Sequence, residues 1–157
     1  KSIIKKSNIF ICGNGGSWSI ANHALCDFNK NLYLRSKKKI IPKFVSLSTN
    51  FELSSAISND IDYSDIFSFQ LKNFASKKDS LLIISSSGNS KNVIKALNYA
   101  KKINMKIFSL TGFNGGLIKK KSDFNINVNS QKYPIIEDLH QYIIHFLIEY
   151  YLEINDK

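Results

Sequence analysis

Cysteine and long apolar runs are both scarce in this sequence. The only two cysteines, Cys12 and Cys26, are too few for a disulfide framework, and they form no CxxC motif or Cys/His cluster of the structural zinc type. No apolar run approaches the roughly 20 residues that span a bilayer, and no signal peptide pattern opens the chain. These absences argue against a disulfide-rich secreted protein and against a membrane protein. We therefore expect a protein of the reducing cytoplasm.

Arginine is almost absent, although the chain is strongly basic. Arg35 is the only arginine, and the formal net charge is +10. Proteins that read nucleic acids usually depend on arginine, because its guanidinium donates two parallel hydrogen bonds to a base or phosphate. We interpret the densest lysine runs, Lys37–Lys39 and Lys119–Lys121, as solvated loops or helix ends. No nucleic-acid or membrane partner is expected.

Short apolar segments alternate with amphipathic segments along the chain. The pattern predicts strands at 8–12, 43–47, 80–85, 106–111 and 124–128, and helices at 17–34, 63–75, 92–102 and 134–154. Strands that alternate with helices are typical of a doubly wound α/β fold. We predict a five-stranded parallel sheet flanked by helices, in one domain spanning residues 1–157.

Two turns rich in small residues follow predicted strands and precede predicted helices. They are Gly13-Asn14-Gly15-Gly16-Ser17 and Ser85-Ser86-Ser87-Gly88-Asn89-Ser90. Glycine lets a backbone approach a ligand, and unpaired N–H groups at a helix start favour an anion. One serine would suffice for a helix cap, so the four hydroxyls of the second turn favour a phosphate site. The second turn is not a Walker A loop, because no Gly-Lys-Ser/Thr follows it, and the first turn is not GxGxxG, so no dinucleotide site is expected.

Titratable side chains share helix faces at two places. His23 and Asp27 are four residues apart, and Glu137, Gln141 and His145 follow one stripe of the last helix. Two histidines and two carboxylates on two helices are compatible with a tetrahedral metal site or with an acid–base pair. The spacing leaves both alternatives open. His140, taken alone, is expected to be a hydrogen-bonded core residue.

Together these motifs resemble the sugar isomerase (SIS) domain, and more closely the phosphoheptose isomerases. The matching segments run in family order over nearly the whole chain: Gly13–Ser17, His23, Ser58–Asp60, Ser85–Ser90, Leu110–Gly112 with Gly115–Gly116, and Glu137–His145. The resemblance implies a flavodoxin-like strand order. It also implies aldose–ketose isomerisation of sedoheptulose 7-phosphate to a heptose 7-phosphate through an enediol.

The resemblance further implies a set of site residues. The residues that match the family's catalytic positions are Asp27, His145 and Glu137. Some family members bind zinc, and the residues that match its ligands are His23, Asp27, Glu137 and His145. Contacts to the sugar phosphate fall on Asn14, Gly15, Gly16, Ser17, Asn59, Asp60, Ser85, Ser86, Ser87 and Ser90.

The chain departs from the family pattern at three positions. Asp27 stands where the family has glutamate, Glu137 where it usually has glutamine, and Trp18 where it has a small or polar residue. The chain is also expected to lack the family's N-terminal helix, since only Lys1–Ser7 precede the first strand. A homo-oligomer, a tetramer as in the family, is nevertheless expected.

Two functions from different classes are consistent with these residues. The first is a sugar-phosphate isomerase, which the retained His145 and the His23/Asp27 pair favour. The alternative is a catalytically silent SIS module that binds a sugar phosphate or a protein partner in a regulatory role.

Overall fold

Parallel strands and helices alternate along the chain in the computed structural model, which describes residues 7–36 and 43–155. The strands are β1 (Asn8–Cys12), β2 (Lys43–Ser46), β3 (Ser80–Ser85), β4 (Lys106–Thr111) and β5 (Phe124–Asn127). The helices are α1 (Gly16–Cys26), α2 (Leu32–Arg35), α3 (Phe51–Asp60), α4 (Ile66–Phe74), α5 (Lys91–Lys102), α6 (Gly116–Lys121) and α7 (Tyr133–Asn155). A π turn over Asp27–Asn31 joins α1 to α2, and a 3-10 turn over Tyr63–Asp65 leads into α4.

The five strands form one parallel sheet in the order β2-β1-β3-β4-β5. The predicted doubly wound sheet and its flavodoxin-like order are therefore confirmed. Strand order reverses between β1 and β3, where Cys12 pairs with Ile83. Ligands of such sheets bind at this switch point, outside the carboxyl ends of the strands. Both small-residue turns leave the sheet there.

Two apolar layers cover the two faces of the sheet, because successive strand residues point to opposite sides. Phe10, Leu81 and Ile83 face a layer formed by α3, α4, α5 and α6. Ile11 and Leu82 face the other layer, formed by α1, α2 and α7. Since β3 is buried along its whole length, its continuous apolar sequence is explained by burial on both faces.

When the π turn and the 3-10 turn are counted with the helices they adjoin, the predicted strands and helices agree with the structure to within one residue at each end, but two helices, α3 and α6, were missed. α3 is rich in serine and α6 has only six residues, so neither carries a strong apolar period. The signal for α3 was Asn50, whose side-chain oxygen accepts a hydrogen bond from the Leu53 N–H at 2.8 Å and caps the helix.

Those charged residues singled out in the sequence that the structure describes lie at helix ends. Lys119–Lys121 form the last turn of α6, as predicted, and Lys37–Lys39 lie outside the described residues. Arg35 at the end of α2 donates two hydrogen bonds to Glu149 of α7, at 2.5 and 2.7 Å. This guanidinium lowers the pKa of Glu149. Over 7–36 and 43–155, none of the helices combines the length and the apolar character that crossing a membrane requires.

Candidate active site

Paired amides join the two small-residue turns at the switch point. The Asn14 side chain donates to the Asn92 side-chain oxygen at 2.8 Å, and Asn92 donates back to the Asn14 oxygen at 2.9 Å. The Tyr63 hydroxyl also donates to the Asn14 oxygen, at 3.1 Å. Asn14 has no free choice of rotamer under these three bonds, so the turn after β1 is fixed relative to the start of α5.

Glycine is required at two points where these turns meet their neighbours. Gly15 (φ +54°) precedes α1 in a conformation that L residues rarely adopt. Gly88 (φ +64°) lies so near the loop before α6 that a Cβ would overlap the Gly115 carbonyl. The second turn is therefore packed against a third loop as well as against the first.

A small cavity of about 120 Å³ lies between the turns. Its walls include hydroxyl, amide and carboxylate side chains but no lysine or arginine: Asn14, Ser17, Ser85, Ser86, Ser87, Ser90, Tyr133 and Glu137. The Ser86 hydroxyl is buried and has no hydrogen-bond partner among the described residues. A buried hydroxyl without a hydrogen-bond partner lowers the stability of the fold, and a bound ligand can supply that partner. We call this cavity the hydroxyl cradle.

Six of the ten predicted substrate-binding residues line the hydroxyl cradle, namely Asn14, Ser17, Ser85, Ser86, Ser87 and Ser90. Gly15 and Gly16 lie beside it, at the start of α1. Asn59 and Asp60 lie elsewhere, at the end of α3, where the Asn59 amide donates to the Asp60 carboxylate at 2.8 Å. Asn59 lines a second, larger cavity.

Three titratable side chains converge where α1 faces α7. His23 Nε2 lies 3.1 Å from Asp27 Oδ2, His145 Nε2 lies 3.3 Å from the same oxygen, and the two nitrogens are 3.2 Å apart. Asp27 is 6% exposed, whereas about half of each imidazole is open to solvent. The three potential ligand atoms thus form a nearly equilateral triangle, and the two imidazoles expose it to solvent.

Glu137 is not part of this triangle. Its carboxylate lies against Gly16, so close that a Cβ on that glycine would overlap it. The side chain that contacts His145 from the same helix is Gln141, whose Nε2 is 2.8 Å from the imidazole Nε2. The arrangement therefore supplies three of the four predicted metal ligands and places Glu137 in the hydroxyl cradle. The sequence analysis correctly put Glu137 and His145 on one face of α7. They lie two turns apart along that helix, so only His145 reaches the triangle.

The helix that starts as α1 changes from α to π geometry at Asp27. The π turn starts at this residue, and the Asn31 side chain donates to Asp27 Oδ1 at 2.8 Å. One carboxylate oxygen is therefore held by Asn31 while the other faces the two imidazoles. Asn31 was not predicted as a site residue, although its four-residue spacing from Asp27 was a usable signal.

His140 belongs to the core, as predicted. It is fully buried, and its Nε2 lies 3.1 Å from the Thr111 carbonyl. Burial lowers the pKa of this imidazole. Sequence reasoning missed Tyr63, Asn92 and Tyr133, which come from other elements and carry no local motif.

Comparison with known proteins agrees with this geometry. The SIS domain family matches residues 1–112. The phosphoheptose isomerase of Helicobacter pylori (strain P12) is 39% identical over 149 residues, which cover 95% of this chain and 76% of that protein. Phosphoheptose isomerase 1 of Campylobacter jejuni (serotype O:2) is 37% identical, with 92% of this chain and 76% of that protein covered.

A solved structure shows the same architecture. The phosphoheptose isomerase of Neisseria gonorrhoeae superposes with a TM-score of 0.85 and 30% identity, over 94% of this chain and 77% of that one. The doubly wound sheet of this chain is thus the fold of an SIS domain. Within that family the chain belongs to the phosphoheptose isomerases, and it is an isomerase.

Proposed function

We propose that the protein interconverts sedoheptulose 7-phosphate and a heptose 7-phosphate by enediol acid–base chemistry. The observation that carries this proposal is an anion-suited cradle and a His/Asp triangle that both take residues from α1 and α7. The names of the relatives support the seven-carbon substrate.

The phosphate is assigned to the hydroxyl cradle. Serine hydroxyls and the first N–H groups of α1 and α5 donate to phosphate oxygens without a cation, and both helix dipoles favour a negative charge there. The buried Ser86 hydroxyl gains its missing partner when phosphate binds.

Proton transfer is assigned to Asp27 and His145. Glu137 and His145 are eight residues apart, so they are about 12 Å apart along the axis of α7. An extended seven-carbon chain whose phosphate lies among the serines of the hydroxyl cradle and whose middle passes Glu137 therefore presents its far end, C1 and C2, to the triangle. In this pose Asp27 takes the proton from carbon and His145 moves a proton between the two oxygens. General acid–base catalysis of this kind contributes about 10²–10⁴-fold.

Glu137 is assigned to substrate hydroxyls instead. Its carboxylate lies in the hydroxyl cradle, remote from the reacting carbons in this pose, and it can accept hydrogen bonds from the middle of the sugar chain. Asp27 is accordingly the base that we favour over Glu137.

The triangle is also suited to a zinc ion held by His23, Asp27 and His145. Ligand atoms of tetrahedral zinc at about 2.0–2.1 Å from the ion are about 3.3–3.4 Å apart, close to the observed 3.1–3.3 Å. Asp27 Oδ2 is buried and makes no hydrogen bond among the described residues, and its near neighbours are the two imidazole nitrogens that would share the ion with it. When bound, zinc would act as a Lewis acid on the sugar oxygens.

A cytoplasmic homo-oligomer, a tetramer as in the family, is the proposed assembly. One stripe of α7 carries exposed apolar side chains at helical spacing: Ile135, Leu139, Tyr142, Phe146 and Tyr150. Monomers rarely leave so continuous an apolar surface in water. The stripe borders His145, so a second copy seated on it would lie next to the triangle.

Replacing His145 by alanine is expected to reduce turnover of sedoheptulose 7-phosphate by at least about 10²-fold, because the acid is lost. Binding of the sugar phosphate should change little, since His145 lies away from the hydroxyl cradle. Turnover is followed by NMR with and without added zinc, and binding by calorimetry.

The control is Asn98→Ala, at an exposed position of α5 outside the triangle, the hydroxyl cradle and the α7 stripe, which should leave turnover unchanged. Turnover that survives His145→Ala would remove this residue from the chemistry. Saturable binding without any turnover by the unaltered protein would instead indicate the silent binding module.

A further inference from the structure

Phe113 has a backbone conformation that a bulky side chain rarely adopts. Its φ is +47°, in the left-handed region, and among the described residues only Asn104 shares a positive φ without being glycine. Asparagine tolerates this region, whereas phenylalanine is strained there. Such strain persists only where the surrounding structure imposes it, and it is concentrated at functional sites. The strain at Phe113, in the loop between β4 and α6, therefore points to a functional role.

Hydrogen bonds on both sides hold Phe113 in this loop. Its N–H donates to the Ser130 carbonyl at 3.1 Å, and its carbonyl accepts from the Asn127 side chain at 3.2 Å. The preceding residue, Gly112, donates its N–H to the Ser86 carbonyl at 2.9 Å. Since Ser86 lines the hydroxyl cradle, the strained loop is tied directly to the cradle.

The Phe113 ring contacts one residue of the hydroxyl cradle, Tyr133. The two rings meet edge to face, with centroids 4.9 Å apart and an angle of 64° between their planes. Tyr133 is the first residue of α7 and is 54% exposed, and its hydroxyl makes no hydrogen bond within the ranges 7–36 and 43–155. Without the edge-to-face contact this side chain is free to turn toward solvent. Phe113 therefore keeps Tyr133 at the wall of the cradle.

The chemistry of the hydroxyl cradle gives Tyr133 a specific role. Within the part of the chain that the structure describes, α7 supplies two residues to the cradle wall, Tyr133 and Glu137. A carboxylate only accepts hydrogen bonds and repels an anion, so Glu137 does not favour phosphate. A phenol donates, and a hydrogen bond from a donor to a charged oxygen is stronger than one between neutral groups. On the α7 wall, the Tyr133 hydroxyl is thus the side-chain donor for a phosphate.

The order of residues along α7 fits this assignment. Tyr133 and Glu137 are one turn apart on the same face of the helix. At 1.5 Å per residue, Tyr133 lies about 6 Å before Glu137 and about 18 Å before His145 along the helix axis. In the pose proposed above, the phosphate is the end of the substrate farthest from His145. Tyr133 lies at that end.

We propose that Tyr133 is a substrate-binding residue whose hydroxyl donates a hydrogen bond to the phosphate, and that Phe113 is the positioning residue that holds Tyr133 at the hydroxyl cradle. The assignment rests on the proposed binding of a sugar phosphate in the cradle, but not on turnover. The left-handed backbone at Phe113 directs the edge of its ring against Tyr133 from a short loop.

Calorimetric titration with sedoheptulose 7-phosphate tests the role of Tyr133. Tyr133→Phe keeps the ring and removes only the hydroxyl, so the affinity should fall by about 10-fold or more, as expected for a hydrogen bond to a charged group. Inorganic phosphate should compete with the sugar phosphate, and its dissociation constant should rise by the same factor. Tyr99→Phe, which removes a hydroxyl from α5 outside the cradle, is the matched control and should change nothing.

Two results would overturn the role of Tyr133. One is unchanged affinity in Tyr133→Phe, which would make the ring a wall and nothing more. The other is a loss of affinity for the sugar phosphate without any loss for inorganic phosphate, which would place the hydroxyl on the sugar.

Substitutions at Phe113 test whether it acts through Tyr133. Phe113→Gly removes the ring and relieves the strain, so the protein should stay folded while the affinity falls about fivefold, as for the loss of one aromatic pair. In the Tyr133→Phe background the same change should have no further effect. Phe113→Tyr, which keeps an aromatic edge, should keep full affinity. Asn104→Gly, at the other positive φ, lies in the turn between α5 and β4 and is the control with unchanged affinity.

A merely structural role for Phe113 predicts a different pattern. Phe113→Gly would then weaken binding equally with and without the Tyr133 hydroxyl, or would lower the free energy of unfolding without changing the affinity. Either result would overturn the positioning role. Absence of phosphate binding by the unaltered protein would overturn both assignments. Binding without turnover would contradict the isomerase proposal alone, because every readout here is an affinity.

Discussion

Ser86 directly follows β3, and its hydroxyl has no hydrogen-bond partner in the described part of the chain. It is 6% exposed and lies in the hydroxyl cradle. The neighbouring Ser85 and Ser87 hydroxyls accept hydrogen bonds from the N–H groups of Gly88 and Asn89, so they shape the turn itself. Of these three serines, Ser86 is therefore the one whose hydroxyl is free to bind a ligand without loss of a hydrogen bond within the turn.

Ser86→Ala is expected to weaken sugar-phosphate binding by about 10-fold or more, because a hydrogen bond to a charged group contributes about 1.5–3 kcal/mol. Stability of the ligand-free protein should stay the same or rise, since no internal hydrogen bond is lost. Calorimetric titration and urea denaturation measure the two effects. Ser122→Ala is the control: its hydroxyl donates to the Ile118 carbonyl at the end of α6, far from the cradle. Unchanged affinity in Ser86→Ala would remove this hydroxyl from the site.

His140 makes stability depend on pH. Burial lowers its pKa below the ordinary value of 6.5, so between the two values the unfolded chain binds more protons than the folded one. The free energy of unfolding should therefore fall as the pH drops below about 6.5, by at most about 1.4 kcal/mol per pH unit.

The check compares urea denaturation at pH 7.5 and 5.5 for the unaltered protein and for His140→Gln. Glutamine can still donate to the Thr111 carbonyl but does not titrate. His23 and His145 are present in both proteins, so their contributions cancel in the comparison. An equal loss of stability in both proteins would contradict the role given to His140.

Among the elements, the turn after β3 depends on the loop before α6. Gly88→Ala should destabilise the protein more than Gly15→Ala does, although both glycines have positive φ. At Gly15 a Cβ meets nothing within 4 Å, so the cost is backbone strain alone, of order 1–3 kcal/mol. At Gly88 the same strain adds to overlap with the Gly115 carbonyl. Chemical denaturation of both variants measures the difference, and equal losses would show that the loops can separate freely.

The spacing of apolar residues predicts strands and helices well where burial requires apolar side chains, and poorly where it does not. β3 and β4 are strongly apolar because helices cover both faces, so their positions were readable. The pitch change at Asp27 was not readable, because Asp27–Asn31 fit an α-helical pattern equally well. Nor could the sequence show that Glu137 meets Gly16, since this contact depends on how α7 crosses α1.

At the scale of the whole molecule, the apolar stripe of α7 predicts association between copies. Phe146 is 54% exposed and stacks with Tyr150 at a centroid distance of 6.0 Å. Phe146→Glu should reduce the molar mass in solution, because burying the new charge in an interface is unfavourable. Analytical ultracentrifugation at several concentrations measures this. Phe74→Glu, at an exposed aromatic on α4, is the matched control and should not change the mass. A mass that is unchanged in Phe146→Glu would place the interface elsewhere.

Both turns of the hydroxyl cradle grow from β1 and β3, which lie side by side inside the sheet rather than at its edges. The amides of these strands exchange with deuterium only when the sheet opens, and opening the sheet also separates Asn14 from Asn92. A ligand in the cradle therefore opposes the same event that admits deuterium to the central strands. The rate of deuterium exchange at the amides of β1 and β3 should therefore fall when a ligand binds in the hydroxyl cradle, so this rate measures binding.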